Sequence, residues 1–376
     1  MNKNLILHAG FHKTGTTALQ TCYFKNYENL KKVGLLFPNT GITFIKGSPR
    51  DGACSGHDNL LRMASIRSKT LIRKLETEGI YSHMTTLLSI ENISHPFMSH
   101  KVFEQNLIDL LDMLPKYEKK VLVYTVKRPE KMFRSLYSEL ITGGNALYSE
   151  KYDTFFDNII NKADEYKKKL NTAKKLGFEI KFIFCSGNTI DHFEKFLLEN
   201  NLINKKPSLN IENTITYSSP SLEHETIIRE INGLGLSRAL TRRISKKILE
   251  MPTDFFYNAG LEFERRHFDE ELLNKHYKFI NYVLNDFGFK IELIKDLSYQ
   301  VNFVNILPNN IEEVLLILGF EEKYNQKSIF KLLNTLKLIL KRTISTGHFY
   351  SRRIGFWNIV PNGLKDQLLN QLRKLI

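Results

Sequence analysis

The stretch LILHAGFHKTGTTALQ, from Leu5 to Gln20, decides the fold of this chain. Its first residues are apolar, as in a buried strand, and they lead through a turn bounded by Gly10 and Gly15 into a run of helix formers. A strand, a glycine-bounded loop and a helix N-terminus form an anion site, because the loop amides and first helical N–H groups have no helical partners. Lys13 adds a full positive charge. We therefore predict a phosphate-binding loop formed by Gly10, His12, Lys13, Thr14, Gly15, Thr16 and Thr17.

The position of the lysine indicates which kind of loop this is. In the ATP-binding P-loop, G-x-x-x-x-G-K-[ST], the lysine follows the second glycine. Here Thr16 follows Gly15, and Lys13 stands two residues before that glycine. This order resembles the 5′-phosphosulfate loop of sulfotransferases that use 3′-phosphoadenylyl sulfate (PAPS), in particular the bacterial carbohydrate sulfotransferases. A loop without a ligand, or one that binds an ordinary nucleotide, is the alternative interpretation.

Composition limits the class of protein. The 376 residues are 42% hydrophobic, which is enough for a packed core. Cys22, Cys54 and Cys185 are odd in number and lack C-x-x-C spacing, so we expect reduced thiols and no zinc site. We see no leader-like segment and no run of the ~18–20 apolar residues that a membrane span needs. The expectation is a cytoplasmic protein whose net charge of +14 suits a polyanionic partner.

Strands and helices alternate along the chain. We predict buried strands at Leu35–Phe37, Thr85–Ile90, Val121–Val126 and Ile180–Phe184. Helices are predicted from Asp58, over Val102–Met113, from Pro129, over Asp153–Lys175 and in the segment after Phe184. This alternation indicates an α/β fold with a central parallel sheet covered by helices on both faces, a P-loop-like three-layer arrangement.

The C-terminal part has a different character. The pattern from Ser221 to Phe287 is helical throughout, and the main domain is predicted to span residues 1–300. Residues 301–376 are predicted to form a mainly helical appendage, with eleven Lys or Arg against three acidic residues in Glu321–Ile376. We interpret it as a basic cap on the main domain. The alternative is an amphipathic surface that contacts the inner face of an anionic membrane.

The resemblance also implies a site for the 3′-phosphate of PAPS. In the family an Arg ends the strand that corresponds to Val121–Val126, and a Ser stands eight residues later. Ser135 matches the serine, and counting back eight residues gives Lys127, with Arg128 next to it. Both cations are candidates, and the bidentate geometry of a guanidinium favours Arg128 with Ser135.

The acceptor hydroxyl must lose its proton as it attacks, so a general base is expected near the loop. Glu91 follows a buried strand and resembles the S-x-E segment of bacterial family members. His57, in GHDNL, is the second candidate, and Glu91 is preferred. Lys13 is expected to stabilise negative charge on the bridging oxygen.

The predicted function is transfer of a sulfuryl group from PAPS, without a metal, to a carbohydrate or glycolipid acceptor. A P-loop kinase or NTPase is the first alternative, although it requires a lysine after Gly15. A basic nucleic-acid-binding protein is the second, and we expect no nucleic acid because a complete cofactor-like loop occupies the N-terminal part. The sequence leaves the acceptor's identity and the oligomeric state open.

Overall fold

Five strands form the central sheet of this computed structural model. They are β1 (Asn4–His8), β2 (Leu35–Leu36), β3 (Thr85–Ser89), β4 (Lys119–Val126) and β5 (Phe178–Phe184). Their order across the sheet is β2-β3-β1-β4-β5, and every pair is parallel. The parallel sheet that the alternating pattern predicts is therefore confirmed.

The structure describes residues 3–11, 15–44, 54, 56–80, 82, 85–95, 98–114, 116–143, 147–210, 220–233, 238–258, 262–267, 270–292 and 302–307. The predicted C-terminal appendage lies almost wholly outside these residues, and so does its membrane-contacting alternative. Both stay predictions.

Thirteen α-helices occur in the described part of the chain. They are α1 (Thr16–Lys25), α2 (Tyr27–Lys31), α3 (Asp58–Ser65), α4 (Lys69–Thr77), α5 (His100–Met113), α6 (Pro129–Thr142), α7 (Tyr152–Ile160), α8 (Ala163–Lys175), α9 (Thr189–Glu199), α10 (Leu222–Gly233), α11 (Arg238–Glu250), α12 (Thr253–Asn258) and α13 (Glu270–Leu284). Short 3₁₀ turns lie at Glu91–Ser94 and Asn285–Phe287.

The central strand of the sheet, β1, is buried on both faces. Ile6, at the centre of β1, packs in a cluster with Leu19 of α1 and Phe193 of α9. Leu5 and Leu7 point to the opposite face, since side chains alternate along a strand, and they are also fully buried. This burial explains why the strands read as continuous apolar runs. Together with the flanking helices it gives the layered α/β architecture.

Two predicted helices are interrupted. The segment from Asp58 forms α3 and α4, because Arg67 adopts a left-handed conformation (φ 47°) and the Ser68 hydroxyl then caps α4. The predicted helix over Asp153–Lys175 likewise divides into α7 and α8. Neither interruption contains proline or glycine, so the sequence carries no strong breaker at these points.

The chain forms two compact units. The first contains the sheet and comprises Met1–Glu139, Lys151–Ser219 and His267–Asn302. The second comprises Leu140–Glu150, Pro220–Arg266 and Phe303–Ile376. Within the second unit, the Asn232 side chain donates hydrogen bonds to the carbonyls of Ile141 (3.0 Å) and Tyr148 (2.9 Å). The sequence-based boundary near residue 300 does not anticipate this interleaving.

The prediction of helix throughout Ser221–Phe287 is wrong at one point. Strand β6 (Glu262–His267) pairs with β7 (Asn302–Leu307) in a separate two-stranded sheet. The two paired segments lie more than 30 residues apart in the chain. A pattern of neighbouring residues carries no information about a pairing partner at that distance.

Candidate functional site

The C-terminal ends of β1, β3 and β4 meet at one edge of the sheet. Beyond β1, the backbone N–H groups of Ala9 and Phe11 donate to carbonyls of β4, at 2.9 and 3.0 Å. The chain leaves β1 towards β2 on one side of the sheet, and it leaves β4 towards β5 on the other. The edge between β1 and β4 is therefore a topological switch point, the place where open parallel sheets bind ligands.

Gly15 joins the loop to helix α1. It is the N-cap residue, with φ at 90°, a left-handed conformation that glycine adopts without strain. The first turn of α1 has no acidic residue of its own, and its N–H groups and the helix dipole leave partial positive charge at this end of the helix. Gly10 also has a positive φ, 52°. The predicted residues His12, Lys13 and Thr14 lie outside the described residues, and their roles stay predictions.

Helix α9 and strand β4 approach Gly15 closely. A Cβ atom built on Gly15 would lie 2.4 Å from Thr189 Oγ1 and 3.6 Å from Lys127 Nζ. The ammonium of Lys127 thus lies beside the end of the loop. The sequence pattern does not single out Thr189 as part of the site. The Asn-Thr pair before α9 is nevertheless a recognisable helix start, because Asn188 accepts a hydrogen bond from the N–H of Ile190 at 3.0 Å.

Lys127 carries a charge that no acid neutralises. Within the described part of the chain its side chain makes no ion pair or hydrogen bond. Partial burial lowers the pKa of this lysine, and the neighbouring Lys131 lowers it further, while Cys185 acts in the opposite sense. A half-buried cation of this kind is stabilised by an anion that enters the loop.

Arg128 is placed differently from Lys127. Its guanidinium forms an ion pair with Glu130, whose side chain is 1% exposed. An arginine held by a buried carboxylate is already neutralised, which makes it a weaker candidate for a phosphate than the sequence indicates. Ser135 lies on α6, in the second turn of the helix, and is partly buried.

Glu91 lies at the edge of the sheet, as predicted. It opens the 3₁₀ turn after β3, and its Oε2 accepts a hydrogen bond of 2.8 Å from the hydroxyl of Thr16. Thr16 is the first residue of α1, and Thr17 follows it, partly buried. A carboxylate is thereby held next to the N-terminus of the loop helix, within reach of a group bound there.

The structure does not bring His57 to the site as a base. Its side chain is 0% exposed. Nδ1 accepts a hydrogen bond from the N–H of Ser89 (3.1 Å), and Nε2 lies 2.7 Å from the carbonyl oxygen of Pro38, which accepts its proton. Burial lowers the pKa of His57 to about 4. Both ring nitrogens form hydrogen bonds with backbone groups, so His57 has a structural role and neither nitrogen is available to take a proton.

The side chain of His8 takes part in a chain of hydrogen bonds at the ends of the central strands. Gln20 donates to Ser89 Oγ (2.9 Å), Ser89 Oγ lies 2.9 Å from His8 Nδ1, and His8 Nε2 lies 3.2 Å from Thr125 Oγ1. This buried chain of bonds joins α1, β3, β1 and β4. Burial lowers the pKa of His8 to about 3, so the ring is neutral at pH 7 and can serve as donor and acceptor at once.

No protein-family model, curated protein or solved structure matches this chain. Among the described residues, no group of three or more His, Cys, Asp or Glu side chains is arranged to hold a metal ion. Within the same residues, no helix is both long enough and apolar enough to cross a membrane.

Replacement of Gly15 by alanine is predicted to destabilise the protein more than the same change at Gly288. Both glycines have positive φ, 90° and 71°, so each alanine pays about 1–2 kcal/mol for a left-handed conformation. At Gly288 no atom lies within 4 Å of the new Cβ, whereas at Gly15 the methyl group meets Thr189. The overlap adds about 1–3 kcal/mol. Urea unfolding of both variants measures the difference, and equal losses would contradict the close packing.

Stability is predicted to fall as the pH falls from about 6.5 to 4. His8, His57 and His276 have folded-state pKa values of about 3, 4 and 4 because they are buried, against 6.5 in the unfolded chain. The unfolded state therefore binds more protons in this range, and each histidine removes up to about 1.4 kcal/mol per pH unit. The slope of unfolding free energy against pH should be shallower in His57→Gln than in the wild type. A flat wild-type profile would contradict the prediction.

Proposed function

We propose that this protein is a PAPS-dependent sulfotransferase that transfers a sulfuryl group to a hydroxyl of a carbohydrate acceptor. The observation that carries the proposal is the hydrogen bond between Thr16 and Glu91. It holds a proton acceptor beside a glycine-bounded loop whose sequence resembles the phosphosulfate loop. The proposal extends to a cytoplasmic location, where PAPS and the acceptor would meet.

Each described residue of the site has a role in this reaction. The amides at the start of α1 and the hydroxyl of Thr17 bind the oxyanions of the donor, while the hydroxyl of Thr16 donates to Glu91. Glu91 takes the proton of the acceptor hydroxyl as the new O–S bond forms. The S–O bond to the 5′-phosphate breaks, and adenosine 3′,5′-bisphosphate leaves. Lys13 stabilises the charge that develops on the departing phosphate oxygen, and Lys127 binds a phosphate of the same nucleotide.

Contacts at the end of β4 support Lys127 over Arg128. Lys127 faces the loop and lacks a neutralising partner among the described residues, whereas Arg128 is paired with Glu130. We therefore assign the nucleotide contact to Lys127. Ser135 stays a candidate for the 3′-phosphate on the strength of its spacing from that lysine.

One observation favours the kinase or NTPase alternative. NTPases place a magnesium-binding acid at a strand end, close to the Ser or Thr of the P-loop. Glu91 follows β3, the strand next to β1, and its carboxylate contacts Thr16. The position of the lysine, two residues before Gly15, argues for the sulfotransferase.

Lys127→Gln is predicted to weaken binding of adenosine 3′,5′-bisphosphate by about tenfold or more, since a hydrogen bond to a charged group contributes about 1.5–3 kcal/mol. Its urea midpoint should stay close to wild type. Arg128→Gln is the matched control. It leaves the buried Glu130 carboxylate unpaired, so it should lower stability by about 3–5 kcal/mol and affect nucleotide affinity less. The opposite pattern, with binding lost in Arg128→Gln alone, would return the assignment to Arg128.

Sulfuryl transfer tests the function itself. With ³⁵S-labelled PAPS and a panel of hydroxyl-bearing glycans, we expect Lys13→Ala to abolish transfer. Glu91→Gln should lower turnover by about 10²–10⁴-fold while nucleotide affinity is largely retained. Thr16→Val, which removes the hydrogen bond but keeps the carboxylate, should have an intermediate effect. Wild-type rates in Lys13→Ala would overturn the proposal, and wild-type turnover in Glu91→Gln would remove Glu91 as the base.

A further inference from the structure

Helix α11, in the second compact unit, has a strongly charged exposed face. Five of its thirteen residues are Lys or Arg, and its one acid is Glu250, at the last position. All five cations are exposed. They are Arg238, Arg242, Arg243, Lys246 and Lys247. Three of them, Arg238, Arg243 and Lys246, make no ion pair or hydrogen bond within the described part of the chain.

This arrangement is costly for the protein on its own. Like charges at i and i+4 repel each other on a helix surface, and Arg238–Arg242, Arg242–Lys246 and Arg243–Lys247 all have this spacing. Arg238 also lies in the first turn, where the helix dipole disfavours a cation and where no acidic residue compensates. An anion bound along this face would relieve both sources of repulsion.

The spacing of the cations fits a linear polymer better than a single small anion. Successive rows of charges four residues apart are separated by about 6 Å along the helix axis, so the stripe from Arg238 to Lys246 is about 12 Å long. A chain that carries one anionic group on each repeating unit presents its charges at a comparable interval. The cations can therefore contact several consecutive units.

The opposite face of α11 argues against a membrane. Thr241, Ser245 and Ile248 lie at helical spacing and are at most 4% exposed, so this side packs inside the protein. A helix that lies in a membrane surface needs a free apolar face, and α11 has already buried that side. The helix also contains no aromatic residue on which the bases of a single-stranded nucleic acid would stack.

We infer that the exposed face of α11 is a docking surface for an acidic polysaccharide, a linear glycan with regularly spaced carboxylate or sulfate groups. The inference that this face binds a polyanion rests on the exposed charges of α11 alone. The choice of a polysaccharide rests on the proposed function, in which a carbohydrate is the acceptor. The surface thus selects acceptors by charge, whereas the loop at β1 selects the donor.

The test is direct binding of the full-length protein to polygalacturonate, a linear polyuronate, without any nucleotide. Neutral dextran, duplex DNA and phosphatidylglycerol vesicles are measured in parallel at several salt concentrations. We expect polygalacturonate to bind more tightly than the other three probes, with an affinity that falls as salt rises. The triple variant Arg238→Gln, Arg243→Gln, Lys246→Gln should lose about tenfold or more in affinity.

The matched control removes three charges from another helix. Lys69, Arg73 and Lys74 of α4 are also exposed, so Lys69→Gln, Arg73→Gln, Lys74→Gln changes the net charge equally. This variant should bind polygalacturonate as the wild type does. Equal losses of affinity in both variants would overturn the inference, because net charge alone would then explain binding. A preference for DNA or vesicles that depends on the α11 cations would also overturn it. Since no nucleotide is present, failure of sulfuryl transfer would overturn the proposed function without changing this result.

Discussion

The close approach of Thr189 to Gly15 is the constraint on which the site depends. Three elements meet there: the loop that leaves β1, the N-terminus of α9, and the end of β4 with the Lys127 ammonium. The contact is possible because residue 15 has no side chain and can adopt a left-handed conformation. Below it, the bonds among Gln20, Ser89 and His8 fix the strand ends. Gly15 is thus packed against α9, and hydrogen bonds join the strand ends to α1.

The electrostatics of the site follow from this packing. Partial burial makes the charge of Lys127 unfavourable, and the positive charge of Lys131 adds to this effect. The next residue, Arg128, is neutralised by the buried carboxylate of Glu130. Two adjacent cations at the end of β4 therefore differ: Arg128 is paired with an acid, and Lys127 forms no ion pair within the described part of the chain. Glu91, which follows β3, holds a carboxylate against Thr16 at the start of α1.

The sequence predicts much of this fold and only part of the site. Strands β1 and β3 to β5 are long apolar runs between polar turns, and Glu91 follows such a run directly, so local pattern suffices to place them. The choice between Lys127 and Arg128 depends on an ion pair with Glu130, and spacing alone does not reveal it. The burial of His57 depends on Pro38 and Ser89, which are distant in the chain, and β6 depends on pairing with β7. In each case a tertiary contact, not a local preference, decides the outcome.

The central claim is that the loop at β1 binds the nucleotide of a sulfuryl donor. Calorimetric titration of the wild-type protein with adenosine 3′,5′-bisphosphate, and with ATP and magnesium in parallel, tests it most directly. The account predicts binding of the bisphosphate with a Kd on the order of micromolar, without any need for magnesium, and weaker binding of ATP. Tight binding of ATP with magnesium and no response to the bisphosphate would contradict it and favour a kinase or NTPase.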